Sequence, residues 1–183
     1  MRHLILGGAR SGKTRLALKC ALEWSNEASL PVTYVATAQA LDQEMRERIT
    51  RHRLERPAAW RTVETPLALA PALASIPCSS VILIDCLTLW LSNALLVDFD
   101  EAQPRAPSTT WQRERATMVE FLEKFSGRII LVSNEVGCGI VPMSALARRF
   151  QDEQGWLNQD IAALCERVTL VASGLPLQLK GDS

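Results

Sequence analysis

Eight residues near the start of the chain, Gly7-Gly8-Ala9-Arg10-Ser11-Gly12-Lys13-Thr14, follow a short apolar run, Leu4–Leu6, and open a helical pattern at Lys13. The spacing G-x-x-x-x-G-K-[ST] between a strand and a helix is a severe restriction, because it suits a loop wrapped round an anion at a helix N-terminus. Gly7 and Gly12 are expected to let the backbone approach closely and to take dihedrals that a β-carbon forbids. The loop N–H groups then point at phosphates. Lys13 supplies a point charge for β and γ oxygens, and the Thr14 hydroxyl suits Mg²⁺. All eight residues are candidate nucleotide ligands.

The rest of the chain fits the α/β frame that such a loop demands. Four more apolar runs, Val32–Ala36, Val81–Ile84, Ile129–Val132 and Val168–Ala172, are interleaved with helical patterns. Those patterns fall at about 13–25, 41–54, 66–75, 87–96, 111–125 and 144–165. Val81–Ile84 has no polar alternation, which predicts a central strand buried on both faces. The tail Leu175–Lys180 alternates and predicts a last edge strand, a place that tolerates Pro176. Val97–Thr110, with Asp98, Asp100, Glu101, Pro104 and Pro107, reads as a surface loop. The expected architecture is one domain over residues 1–183, a mostly parallel sheet flanked by helices.

Composition narrows function by exclusion. Twenty basic and twenty acidic side chains cancel, so no long-range field draws the chain onto nucleic acid or anionic lipid. No apolar run approaches the ~20 residues of a membrane span. The segment Met1–Leu6 is too short for a signal-peptide core. Five cysteines (Cys20, Cys78, Cys86, Cys138, Cys165), none in a C-x-x-C pair, argue against a disulfide framework or a zinc site. A reduced, cytoplasmic setting is expected.

Two further positions bear on chemistry. Asp85 closes the Val81–Ile84 run, where an acid can hold a metal through water; its bland role is to cap the helix starting near Leu87. His52 lies among Arg46, Arg48, Arg51, Arg53, Arg56 and Arg61, residues suited to bidentate phosphate recognition. The surrounding positive charge disfavours an imidazolium, and a neutral ring can attack phosphorus. The bland reading is equally concrete: Met45, Ile49 and His52 form one helical stripe at a core edge, with the arginines paired to Glu44, Glu47 and Glu55. His3, inside the first strand, reads as structural. A plain P-loop kinase of a small alcohol or nucleoside, with the arginine helix as a lid, and a RecA-type DNA-handling module both fit the loop. The balanced charge and the lack of basic-aromatic stacking patches count against the last.

Several segments in order carry a resemblance. They are the loop Gly7–Thr14; Tyr34-Val35-Ala36-Thr37-Ala38; Asp42-x-Glu44-Met45-x-x-Arg48-Ile49-x-x-His52-x-x-x-Arg56-Pro57-x-x-Trp60; Asp85-Cys86-Leu87-Thr88-Leu89-Trp90 with Asn93; and Ser133-Asn134-Glu135-Val136-Gly137-Cys138-Gly139-Ile140-Val141-Pro142, followed by Arg148 and Asn158. The chain resembles, nearly end to end, the bifunctional adenosylcobinamide kinase/adenosylcobinamide-phosphate guanylyltransferase family of cobalamin assembly.

The resemblance implies a RecA-like P-loop NTPase fold, a homotrimer and two reactions. The first phosphorylates the aminopropanol hydroxyl of adenosylcobinamide with ATP or GTP. The second transfers GMP from GTP onto that phosphate through a guanylylated histidine, which falls on His52 here, giving adenosylcobinamide-GDP and pyrophosphate. Nucleotide-contacting positions of the family match Gly7–Thr14, Thr37, Ala38, Gln39, Arg53, Leu54, Glu55, Arg56, Glu64 and Asp85. Mg²⁺ is expected on Thr14 and Asp85. Departures are few: Thr14 replaces a frequent serine, and Arg51 stands where some relatives carry a second histidine, leaving His52 the one imidazole there. Because His52 is far in sequence from the loop, its basic helix, at about 41–56, is expected to move, or a neighbouring subunit to contribute, so that imidazole and α-phosphorus meet.

Overall fold

The computed structural model describes residues 1–103 and 106–181, and Pro104, part of the expected surface loop, lies outside them. In chain order the elements are β1 (Arg2–Gly7), α1 (Lys13–Ala28), β2 (Val32–Ala36), α2 (Gln43–Leu54), β3 (Arg61–Glu64), α3 (Leu69–Ala74), β4 (Val81–Asp85), α4 (Leu87–Val97), α5 (Thr109–Lys124), β5 (Arg128–Asn134), α6 (Ala145–Leu164), β6 (Arg167–Ala172) and β7 (Leu175–Lys180). The strands form one seven-stranded sheet in the order β3-β2-β4-β5-β1-β6-β7. Every pairing is parallel except β6 with β7. The frame is the expected α/β one.

β4 shows why the apolar run has no alternation. Val81, Ile82, Leu83 and Ile84 are all fully buried. Ile82 and Ile84 face one layer, packed with Leu69, Leu73, Trp90, Trp111 and Leu157 from α3 to α6. Val81 and Leu83 face the other, against Ala17, Ala21 and Trp24 of α1. A strand covered on both sides has no solvent face to make polar.

Two local expectations need correction. β3 was not foreseen, because Arg61-Thr62-Val63-Glu64 is mostly polar and exposed; it pairs only with β2, at the sheet edge. The helix expected from residue 66 begins at Leu69. Ala68 has a left-handed φ of 52°, and the buried Glu114 carboxylate of α5 accepts the Ala68 and Leu69 N–H groups at 3.1 and 3.3 Å and the Trp90 indole at 2.9 Å. A carboxylate from another helix thus caps α3, a signal absent from the local sequence.

His3 is structural, as expected: it is 5% exposed, and its Nε2 lies 2.8 Å from Thr169 Oγ1. Burial, with Arg167 adding to it, lowers its pKa from 6.5 to about 4. The unfolded chain therefore binds a proton more readily than the folded one within that window. The contribution is fully present above pH 6.5 and is lost as pH falls through about 4. The full loss amounts to about 3 kcal/mol. Urea unfolding of wild type and His3→Gln at neutral pH and near pH 4 should show a shallower acid decline in the variant.

Candidate active site

The carboxyl ends of the parallel strands line one edge of the sheet, and the candidate residues gather there. β5 is inserted between β1 and β4, with Gly7 level with Asn134 and Asp85 level with Val132. The phosphate-loop strand and the Asp85 strand are thus separated by one strand whose end carries Asn134.

Gly12 has φ of 95°, as its lack of a β-carbon permits. Gly7 is required for another reason than the one expected: a β-carbon there would come within 2.6 Å of the Val171 carbonyl oxygen on β6, so the constraint is space and not dihedral angle. The loop is tied to the β6–β7 turn by the Gly174 N–H, which donates to the Ser11 carbonyl at 2.9 Å. Lys13 is buried and donates to the Gly8 carbonyl at 3.1 Å. Burial lowers its pKa, against the opposing pull of Cys86 and Asp85.

Asp85 is not a helix cap. Cys86 occupies the N-cap position of α4, with no side-chain cap bond. Instead Asp85 Oδ2 accepts the Tyr34 hydroxyl at 2.8 Å. Tyr34 is 3% exposed, and burial, followed by the Asp85 charge, pushes its phenol well above the ordinary range, so it stays protonated. Thr37 is fully buried: its hydroxyl donates to the Cys86 carbonyl at 2.7 Å and accepts the Cys86 N–H at 2.9 Å. Asn93 binds the Thr37 carbonyl at 2.8 Å. Thr37 and Asn93 therefore pin the turn that presents Asp85.

α2 begins at an Asp42 cap, whose carboxylate accepts the Met45 N–H at 2.7 Å, and it buries no residue in the core. The stripe Met45, Ile49, His52 exists, but it faces a cavity of about 400 Å³ and not the hydrophobic interior. Lys13, Thr14, Tyr34, Arg48, Arg53, Arg56, Glu64, Asp85 and Asn134 border that cavity too. A second cavity, of about 530 Å³, is bordered by Ala9–Thr14 together with Arg48, Arg51, His52 and Glu55. Lys13, Thr14, Arg48 and His52 border both. The structure thus brings the imidazole and the loop lysine together within one chain.

The charge around His52 is not of one sign. Its Nδ1 is buried without a hydrogen bond, 3.7 Å from Glu55 Oε2. Arg53 pairs with Glu64 of β3, and Arg56 Nε donates to the His52 carbonyl at 2.8 Å. The expected pairing of the α2 arginines with Glu44, Glu47 and Glu55 does not occur among the described residues. Of the remaining candidates, Ala38 borders the first cavity, whereas Gly7, Gly8, Thr37, Gln39 and Leu54 border neither; Leu54 is 82% exposed.

The described geometry belongs to a chain with close relatives. Residues 3–179 match the family model described as cobinamide kinase / cobinamide phosphate guanyltransferase. The chain belongs to that family. Its bifunctional adenosylcobalamin biosynthesis relatives include CobP of Pseudomonas aeruginosa, 53% identical over 100% of this chain and 99% of the relative. CobU of Escherichia coli K12 is 40% identical over 98% of this chain and 100% of its own length, and CobU of Salmonella typhimurium is 37% identical with the same coverage. Among solved structures, the chain is similar to the flagellar accessory protein FlaH of Methanocaldococcus jannaschii, with a TM-score of 0.50 over 99% of this chain and 78% of that one. At 14% identity this supports the RecA-like P-loop fold alone.

For this cobinamide kinase/guanyltransferase family member, two site residues escaped the motif reading of individual roles. Asn134 has a buried side-chain oxygen without a partner, at the first cavity. Its carbonyl is held by Asn158 at 3.0 Å, and Asn158 in turn bonds Ser133 and Gln154. Tyr34 is the other. Only their position on parallel strands at the sheet edge could have signalled them. Thr14 and Asp85 offer hard oxygen donors on one cavity wall. No cluster of three or more His, Cys, Asp or Glu suited to a metal occurs among the described residues. That donor set suits Mg²⁺ held largely by nucleotide phosphates and water. No helix among the described residues is long and apolar enough to cross a membrane.

Proposed function

We propose that this enzyme phosphorylates adenosylcobinamide with ATP or GTP and then transfers GMP from GTP to the product, through a guanylylated His52, giving adenosylcobinamide-GDP and pyrophosphate. The observation that carries the reading is that His52 borders the same two cavities as Lys13 and Thr14. An imidazole on an exposed helix has no packing reason to be there, whereas one beside a phosphate loop can attack phosphorus.

In the kinase reaction the substrate hydroxyl oxygen bonds to the γ-phosphorus, the bridging P–O bond breaks and a nucleoside diphosphate leaves with release of the hydroxyl proton. In the second reaction His52 is the nucleophile. Glu55 beside Nδ1 favours the N–H on that nitrogen and leaves the lone pair on Nε2. Nε2 bonds to the α-phosphorus as the bond to the β-phosphate oxygen breaks, and pyrophosphate departs. A phosphate oxygen of the corrinoid then bonds to the same phosphorus, the N–P bond breaks and Nε2 recovers its electron pair. Lys13 and the loop N–H groups stabilise charge gathering on the departing phosphates. Thr14 and Asp85 would hold Mg²⁺, which neutralises phosphate charge when bound. Arg48, Arg53 and Arg56 bind phosphate oxygens from the α2 side. Because α2 buries no residue, it can shift as an arm without breaking the core.

Incubation with GTP and Mg²⁺, followed by peptide mass spectrometry, tests the reading. GMP is expected on the peptide containing His52; full product yield from unmodified protein overturns it.

A further inference from the structure

Tyr34 lies at the centre of the site, yet neither reaction described above assigns it a task. It sits on β2 between β3 and β4, and its hydroxyl donates to Asp85 Oδ2 at 2.8 Å. The Arg56 guanidinium carbon stands 3.7 Å above the centre of its ring. Arg56 Nε in turn donates to the His52 carbonyl at 2.8 Å, and Arg56 also reaches Thr62 of β3 at 3.4 Å. An unbroken chain of contacts therefore runs from Asp85 through Tyr34 and Arg56 to the end of α2 that carries His52.

We propose that Tyr34 is a positioning residue whose hydroxyl aims the Asp85 carboxylate and whose ring seats Arg56, so that one buried side chain couples the acid to the His52 helix. The proposal rests on the functional reading above. Occupying Oδ2 fixes the rotation of the carboxylate of Asp85, a residue that borders the first cavity. The ring face holds a guanidinium by cation–π attraction, and this contact is shielded from water on the buried side. α2 has little else to hold it: it buries no residue, and its other side-chain tie to the sheet is Arg53–Glu64. Were Tyr34 only filling the core, phenylalanine would serve as well, because the ring supplies the packing.

That comparison is the test. In Tyr34→Phe, the Mg²⁺ concentration giving half-maximal GTP binding at equilibrium, without turnover, should rise about tenfold. Trypsin nicking of the unliganded protein after the α2 arginines should be unchanged, because the ring remains beneath Arg56. In Arg56→Met the nicking at Arg46, Arg48, Arg51 and Arg53 should accelerate severalfold. Tyr34→Phe keeps the ring and its packing, so loss of the fold does not obscure the result. An unaltered Mg²⁺ midpoint in Tyr34→Phe, or wild-type nicking in Arg56→Met, overturns the proposal. Neither readout requires GMP transfer. A wild-type protein that binds GTP but never becomes labelled at His52 therefore sinks the functional reading while these measurements still decide the role of Tyr34.

Discussion

Replacing His52 with alanine is expected to abolish covalent labelling by α-phosphate-labelled GTP and to lower GMP transfer by at least about 10⁴-fold, the scale on which loss of a covalent nucleophile is felt. Phosphorylation of adenosylcobinamide should largely survive, because in the proposed mechanism the γ-phosphorus is handled by the loop and Lys13 and not by the imidazole. The substitution should also leave folding intact. α2 contributes no residue to the core and His52 borders cavities, so the change in unfolding free energy should stay within about 0.5 kcal/mol. A variant that loses both activities together, while unfolding normally, would show that His52 serves the shared nucleotide site rather than guanylyl transfer alone, whereas a plain kinase would show no GMP labelling even in the wild type. Separate assays of the two reactions on one preparation make the distinction.

Lys13→Met is expected to cost both reactions together, each by about 10²- to 10³-fold, the usual consequence of removing one preorganised charge from a transition state. Methionine keeps most of the apolar stem, so little packing is lost. Stability should not fall. Burial disfavours the Lys13 ammonium in the folded protein, as its lowered pKa reports, and the hydrogen bond to the Gly8 carbonyl is the main contact given up. The thermal midpoint of the unliganded variant should therefore equal or exceed that of wild type. Retention of the kinase step alone in Lys13→Met would count against a single nucleotide site serving both reactions. The two variants should therefore fail differently: His52→Ala is expected to keep the kinase step without becoming modified, whereas Lys13→Met is expected to slow both reactions.

Much of the frame was legible because it rests on local rules. The strand–loop–helix at Gly7–Thr14 needs only neighbouring residues, and the buried strand β4 announces itself through its unbroken apolar run. Even the antiparallel β7 was visible in the alternation of Leu175, Leu177 and Leu179. β3 was not, because a polar edge strand is made by its partner β2 and not by its own composition. The start of α3 was hidden for a similar reason, since its cap comes from Glu114 on a distant helix.

The site divides along the same line. Residue pattern alone left His52 between nucleophile and core-edge histidine, and Asp85 between metal ligand and cap. Neither ambiguity is local. Met45, Ile49 and His52 make the same stripe whichever surface it faces, and that surface is chosen by where the crossover after β2 carries α2. Asp85 turns from cap to cavity-facing acid because Cys86 takes the N-cap position and Tyr34, 51 residues earlier, holds the carboxylate.

The order of amino acids alone thus dictated the loop, its charge and the layered frame, since glycine spacing, a lysine and apolar periodicity act over a few residues. Which groups meet across the sheet edge was decided only by folding. The insertion of β5 between β1 and β4, and the crossing of α2 over the strand ends, bring Lys13, Asp85 and His52 to one cavity from distant parts of the chain. Such encounters are set by strand order, and strand order depends on the summed burial of every element rather than on any one motif.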